Sequence, residues 1–164
     1  MNVHYSSKSN EWETPIDLFN RLNDEFHFNL DAAATHDNHL CDNYFTIEND
    51  ALKQDWTQYK SIFVNPPYSR LIGKFVEKAY NESKKNCIIV MLIPARTCTK
   101  FFHNYIMKSK EIRFIKGRCK FVNRSFPSWR ADGNFKVTPA PFPSMIVVFD
   151  GKDYEMPKIS SWIQ

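Results

Sequence analysis

Residues 61–68 read Ser-Ile-Phe-Val-Asn-Pro-Pro-Tyr, and this stretch decides the fold. Ser61, Ile62, Phe63 and Val64 form a short apolar, β-branched run of the kind that enters a sheet. Asn65-Pro66-Pro67-Tyr68 ends it, because two successive prolines remove two N–H donors and stiffen the backbone. Similar apolar segments recur at Phe28–Leu30, Cys87–Leu92 and Met145–Phe149. The last two are continuously apolar, a pattern that suits strands buried on both faces, as in a parallel sheet covered by helices. Ile112–Ile115 and Cys119–Val122 alternate as shorter strands would.

Helical patterns lie between these segments. Thr14-Pro15 starts one, with Thr14 as the cap, Pro15 in the first turn and Asp17 near the positive end. Ile16, Phe19, Leu22 and Phe26 follow at helical spacing. Further helices are expected over Ser69–Lys84 and Thr97–Lys108. Alternating strands and helices imply an α/β layered fold with a mostly parallel sheet. The chain of 164 residues suits one domain over 1–164, with 1–13 as a flexible or lightly docked arm.

Ligands in such sheets sit beyond the carboxyl ends of the strands. Asp31, Asn65-Pro66-Pro67-Tyr68 and Pro94-Ala95-Arg96 occupy those places and are expected to converge on one cleft. The carbonyls of Asn65 and Pro66, with the Asn65 side chain, form a compact acceptor group beside the flat ring of Tyr68. Two acceptors can hold both hydrogens of an amino group on a planar ring. They draw its lone pair out of conjugation and aim it at an electrophile. The same arrangement would hold a planar amide such as glutamine, and a plain strand-ending turn is the competing reading.

Composition bounds the alternatives. Net charge is +4, a mild tilt toward polyanions. The absence of an apolar run near the ~20 residues that span a bilayer leads us to expect a cytosolic protein and no membrane partner. The four cysteines form no Cys-x-x-Cys pair and read as free thiols. His36, His39 and Cys41 match no standard zinc spacing, so no metal is expected. Phosphate-loop, serine-nucleophile and His-Glu-x-x-His patterns are missing.

The chain resembles the phage and prophage type of DNA N6-adenine methyltransferase, the Dam-like family. WETP at 12–15, FNLDAAA at 28–34, NDAL at 49–52 with Trp56, and FVNPPYS at 63–69 carry the likeness. LIPART at 92–97, GRCKF at 117–121 and PFPSMIVVF at 141–149 complete it in family order. The resemblance implies a Rossmann-like class I fold, S-adenosylmethionine as methyl donor and DNA as partner. It assigns catalysis to Asn65, Pro66, Pro67 and Tyr68. It places Trp12, Thr14, Pro15, Asp31, Ala32, Ala33, Asp50 and Asn65 around the cofactor, with Glu48 competing with Asp50. An ordinary helix start remains the other reading for 12–15, and a helix N-cap for Asp31. Ala32, Ala33 and Ala34 stand where this fold commonly has a Gly-rich loop.

Arg96, Arg118, Lys120, Arg124 and Arg130 are candidates for contacting nucleic acid. The last four lie among Phe121, Phe126, Trp129 and Phe135, a mix of cations for phosphates and rings for bases. A half-buried β segment with solvated charges fits the same composition. Cytosine C5 methylation would need a cysteine nucleophile, usually after proline, and no Pro-Cys occurs. Amino-methylation of RNA or protein glutamine, or a DNA-binding protein without turnover, are the rival readings.

Overall fold

The computed structural model describes residues 12–122 and 137–163. The chain forms helices α1 (Ile16–Phe26), α2 (Ile72–Ser83) and α3 (Lys100–Asn104). The strands are β1 (Leu30–Asp31), β2 (Ser61–Val64), β3 (Ile88–Pro94), β4 (Glu111–Ile115), β5 (Lys120–Val122), β6 (Val137–Pro139), β7 (Ser144–Phe149) and β8 (Lys158–Trp162). Among the described residues six strands make one sheet in the order β1-β2-β3-β7-β4-β8, and β5 pairs with β6 apart from it.

The fold is α/β as expected, but the sheet is mixed rather than mostly parallel. β1-β2, β2-β3 and β4-β8 pair in parallel, while β7 runs antiparallel to both β3 and β4. The reason is the path of the chain. After β4 it stays beyond one end of the sheet to form the β5–β6 pair. It then re-enters directly at Ser144, opposite Pro94. A parallel return would require a crossover back along the sheet, usually through a helix. The continuous apolar run of β7 therefore reports its central place between β3 and β4, where all six of its residues are buried, and not its direction.

Phe63 on β2 meets Phe19 of α1 with ring centroids 5.2 Å apart, and Tyr80 of α2 meets Phe149 of β7 at 6.0 Å. α1 begins at Ile16 with Pro15 in the capping position and no side-chain cap. Thr14 does not cap it, contrary to expectation. Leu18, Phe19 and Leu22 are its buried residues, and Ile16 is exposed. The helix expected over 97–108 shortens to α3 and a 3-10 turn over Ile106–Lys108. β8 was not anticipated. It is a polar edge strand beside β4, without an apolar run to announce it.

Gly151 closes the turn after β7. Its φ is +85°, and a Cβ there would lie 2.5 Å from the Ser83 carbonyl oxygen at the end of α2. Gly151→Ala is expected to destabilise the fold by about 2–4 kcal/mol, from the left-handed backbone and the overlap together. Chemical denaturation reads this directly, and an unchanged midpoint would contradict the close approach.

Candidate active site

The parallel run β1-β2-β3 brings the residues after those strands to one end of the sheet. Asp31 is level with Phe63, and Val64 with Met91. β7 begins at the same end, so Phe142 precedes it there. β4 ends there too and leads to β5. Val122 of β5 then bridges Glu13 through paired backbone bonds of 3.1 Å each. Segments 12–15, 31–34, 65–68, 94–96, 117–122 and 140–143 thus gather at the carboxyl ends of the parallel strands, and Asp31, 65–68 and 94–96 are the three whose meeting was expected from sequence.

Asn65 is the best-defined member. Its Nδ2 donates to the Trp12 carbonyl at 2.6 Å and to Thr14 Oγ1 at 2.9 Å. Both amide hydrogens are therefore occupied. Its Oδ1 is buried with no hydrogen-bond partner. A buried acceptor without a donor is open to a ligand or a bound water, and here it belongs to the side chain that heads the Pro-Pro turn. Pro66 is buried, and its carbonyl accepts no hydrogen bond among the described residues. The Pro67 carbonyl accepts from the Ser69 N–H at 2.8 Å, which turns the chain toward α2.

Tyr68 is buried at 6% exposure. Its hydroxyl donates to the Leu92 carbonyl of β3 at 3.2 Å. Phe121 and Phe142 meet its ring nearly at right angles, with centroids 5.9 and 5.4 Å away. Trp12 meets the same two phenylalanines at 5.7 and 5.4 Å. Tyr68 is thus one wall of an aromatic box rather than an open plate. Burial pushes its phenol well above the ordinary tyrosine value.

Asp31 is 3% exposed. Its Oδ2 accepts from the Leu40 N–H at 3.1 Å and its Oδ1 from the Ala33 N–H at 3.4 Å, which folds the 33–40 loop around it. Burial raises its carboxyl to about 6, against the pull of those two N–H bonds. A cation would restore its ionised form. Ala32 and Ala34 are buried and Ala33 is half-buried, so small side chains line this turn. Pro15 is half-buried at the start of α1.

The remaining candidates are more peripheral. Asp50 adopts a left-handed φ of 53° and pairs with Lys53 at 2.9 Å, a contact that lowers its carboxyl. Glu48 lies 3.6 Å from His36 on the surface. His36 also meets the Tyr44 hydroxyl, and His39 stacks on the Tyr44 ring at 4.1 Å and contacts the Cys41 carbonyl. Arg96, Arg118 and Lys120 are exposed at the site's end of the sheet. Arg124 and Arg130, with Phe126, Trp129 and Phe135, lie outside the described residues. Phe121 is fully buried in the aromatic box and is no surface ring.

Sequence reasoning did not assign Phe142 a role, although PFPSMIVVF had been picked out. Proline on both sides and its place before a buried strand were the available signals. The Leu92 carbonyl could not be found by residue type.

These observations meet clear relatives. A family model described as DNA N-6-adenine-methyltransferase (Dam) matches residues 3–160. The DNA N-6-adenine-methyltransferase of Escherichia phage T1 is 35% identical over 106 residues, 64% of this chain and 44% of that protein. The DNA N-6-adenine-methyltransferase of Haemophilus phage HP1 is 33% identical over 145 residues, 86% of this chain and 79% of that protein. The chain thus spans less than half the length of the T1 relative and most of the HP1 relative. With a buried acceptor at Asn65, a rigid Pro-Pro turn and a family match over nearly all its length, the chain belongs to the DNA N-6-adenine-methyltransferase (Dam) family.

Proposed function

We propose that this chain transfers a methyl group from S-adenosylmethionine to the N6 amino group of adenine in DNA. The observation that carries the reading is Asn65 Oδ1, buried and unpartnered while the amide hydrogens are held elsewhere. Family membership supports the substrate and the reaction. The sheet fits a Rossmann-like class I scaffold in which β7 runs against its neighbours. We treat 1–164 as a single methyltransferase domain, since β1 and β8, the first and last described strands, lie in one sheet.

The adenine must leave the duplex stack, because N6 is not reachable within it. Asn65 Oδ1 and the Pro66 carbonyl accept from N6, and Pro67 keeps the turn rigid. Tyr68 forms a wall for the base with the other rings of the box. Drawing both N6 hydrogens toward acceptors localises the nitrogen lone pair for attack. Arg96, Arg118 and Lys120, exposed at the site's end of the sheet, are the proposed contacts to the DNA backbone, with Arg124 and Arg130 completing the proposed basic set.

The residues present fit S-adenosylmethionine. The buried Asp31 carboxyl, raised to about 6, suits its ammonium group, and Ala32 and Ala33 permit close approach. Asp50 is the proposed partner of its adenosine portion, with Trp12 and Pro15 proposed beside the cofactor and Thr14 turned to Asn65. When bound, the cofactor supplies an electrophilic methyl group on a sulfonium. Among the described residues no helix is long and apolar enough to cross a membrane. We place the activity on DNA in the cytoplasm of a phage-infected host.

The test uses methyl-labelled S-adenosylmethionine and unmethylated DNA, digested to nucleosides after incubation. Label in N6-methyladenine is expected. Cofactor binding with no labelled nucleoside would overturn the DNA assignment in favour of RNA or protein glutamine.

Asp31 adds a pH signature. A cationic ligand prefers its ionised form, and the free protein holds a proton there below about 6. Cofactor affinity is expected to rise from pH 5 to 7, changing about tenfold per unit below the bend, as one coupled proton requires. Equilibrium dialysis across that range measures it, with Asp31→Asn weaker and flat. A level wild-type profile would remove Asp31 from the cofactor site.

A further inference from the structure

The Asn65 amide has two ends of nearly equal shape, and a half-turn about its terminal bond exchanges oxygen for nitrogen. Only one orientation offers an acceptor to a substrate amino group. The other would set donor against donor. Something in the protein must choose between them.

The choice is made by residues 53 and 51 positions earlier in the chain. The Trp12 carbonyl can only accept, so it demands the NH2 end. Its place is fixed by the Glu13–Val122 bridge and by the Trp12 ring against Phe121 and Phe142. Thr14 Oγ1 takes the second hydrogen at 2.9 Å. A second observation supports this duty. Thr14 precedes Pro15 at the start of α1, where a threonine hydroxyl ordinarily caps the helix. Here α1 has no side-chain cap, and the hydroxyl is turned to Asn65 instead.

We propose that Thr14 is a positioning residue for methyl transfer, whose hydroxyl holds the Asn65 amide with its carbonyl toward the substrate amino group. This rests on the reading of Asn65 as the N6 acceptor. It differs from a cofactor contact by Thr14, because it acts on the chemical step and not on cofactor binding. Loss of the hydroxyl leaves one hydrogen of Asn65 unheld and lets the amide leave its productive angle. Small errors of placement at a reacting group cost on the order of 10–100-fold in rate.

The experiment compares Thr14→Val, Thr14→Ser, Asn65→Ala and the Thr14→Val/Asn65→Ala pair in the full chain. Single-turnover methylation, cofactor affinity and thermal unfolding are read for each. Thr14→Val is expected to lose about 10–100-fold in kcat, with cofactor Kd within about twofold of wild type. Thr14→Ser should recover kcat to within about threefold, since it restores the acceptor. The pair should be no slower than Asn65→Ala alone, because Thr14 acts through that amide.

Wild-type kcat in a folded Thr14→Val would overturn the inference. So would a loss confined to cofactor affinity, or a pair whose defects multiply. Should Thr14→Val unfold, Thr14→Ser against Thr14→Ala carries the same comparison, and equal kcat in those two would overturn it. Near-normal turnover in Asn65→Ala removes the acceptor reading and this inference with it. An inactive Asn65→Ala beside a full-speed Thr14→Val removes the inference alone.

Discussion

Asn65→Ala is expected to lower turnover by about a hundred- to a thousand-fold, the usual effect of deleting one preorganised polar group at a reacting centre. The chain should stay folded. Asn65 is only half-buried, and its removal orphans the Trp12 carbonyl at a cost of about 1–3 kcal/mol. Single-turnover kinetics with a parallel thermal melt separate the two effects. Near-normal turnover would sink the mechanism. Asn65→Asp is also expected to be impaired. It keeps the acceptor but sets a second oxygen against the Trp12 carbonyl, which can only accept, even though the Thr14 hydroxyl can turn to donate. Tyr68 divides differently. Its hydroxyl is bound to the Leu92 carbonyl, so Tyr68→Phe should keep most activity, while Tyr68→Ala removes a wall of the box and should abolish it.

The largest stability effect is expected at Arg113 on β4. Its side chain is 9% exposed and makes two 2.6 Å bonds to Glu25 of α1 and one of 2.9 Å to Glu111. The rings of Phe26 and Trp162 flank its guanidinium at 5.3 and 5.2 Å. Arg113→Met should cost about 3–5 kcal/mol, because it strips the buried Glu111 of its closest cation and leaves it the Ser160 hydroxyl at 3.3 Å and Lys158 at 3.9 Å. Urea unfolding at pH 7 measures this, and a loss under about 1 kcal/mol would show the pair to be dispensable. Replacing Glu111 as well with an apolar residue should restore much of it. Arg113 holds the Glu25 carboxyl below its ordinary value of 4.5. That contribution is present above pH 4.5 and is lost as pH falls through the lowered value. The variant should therefore show a shallower decline in acid.

What the sequence disclosed was what neighbouring residues determine. The run 61–64 and its Pro-Pro stop depend on positions a few residues apart and lie where they were expected, and the face of α1 does so in part, with Phe19 and Leu22 buried but Ile16 exposed. The direction of β7 did not follow from its composition, because burial on both faces is common to any central strand. β8 escaped notice because an edge strand needs no apolar run. The capping reading of Thr14 failed for a related reason. The local signal for a cap was sound, but a partner 51 positions away took the hydroxyl. Phe121 and its basic neighbours are adjacent in sequence yet divided by the alternation of a strand, the ring inward and Lys120 outward. Nothing in their composition ranks those two fates.

The clasp on Asn65 joins parts of the chain that meet only after a long loop has closed. Contacts of such wide separation tend to form late in folding. Among the described residues the 12–14 segment belongs to no helix or strand, and its ties include an isolated bridge, the two bonds from Asn65 and the packing of one indole. Weakly fastened segments open locally well before a core does. The productive geometry is then expected to come apart before the central strands do. In rising denaturant, catalysis should fade while the central strands stay intact, so turnover gauges the integrity of the 12–14 segment rather than of the sheet.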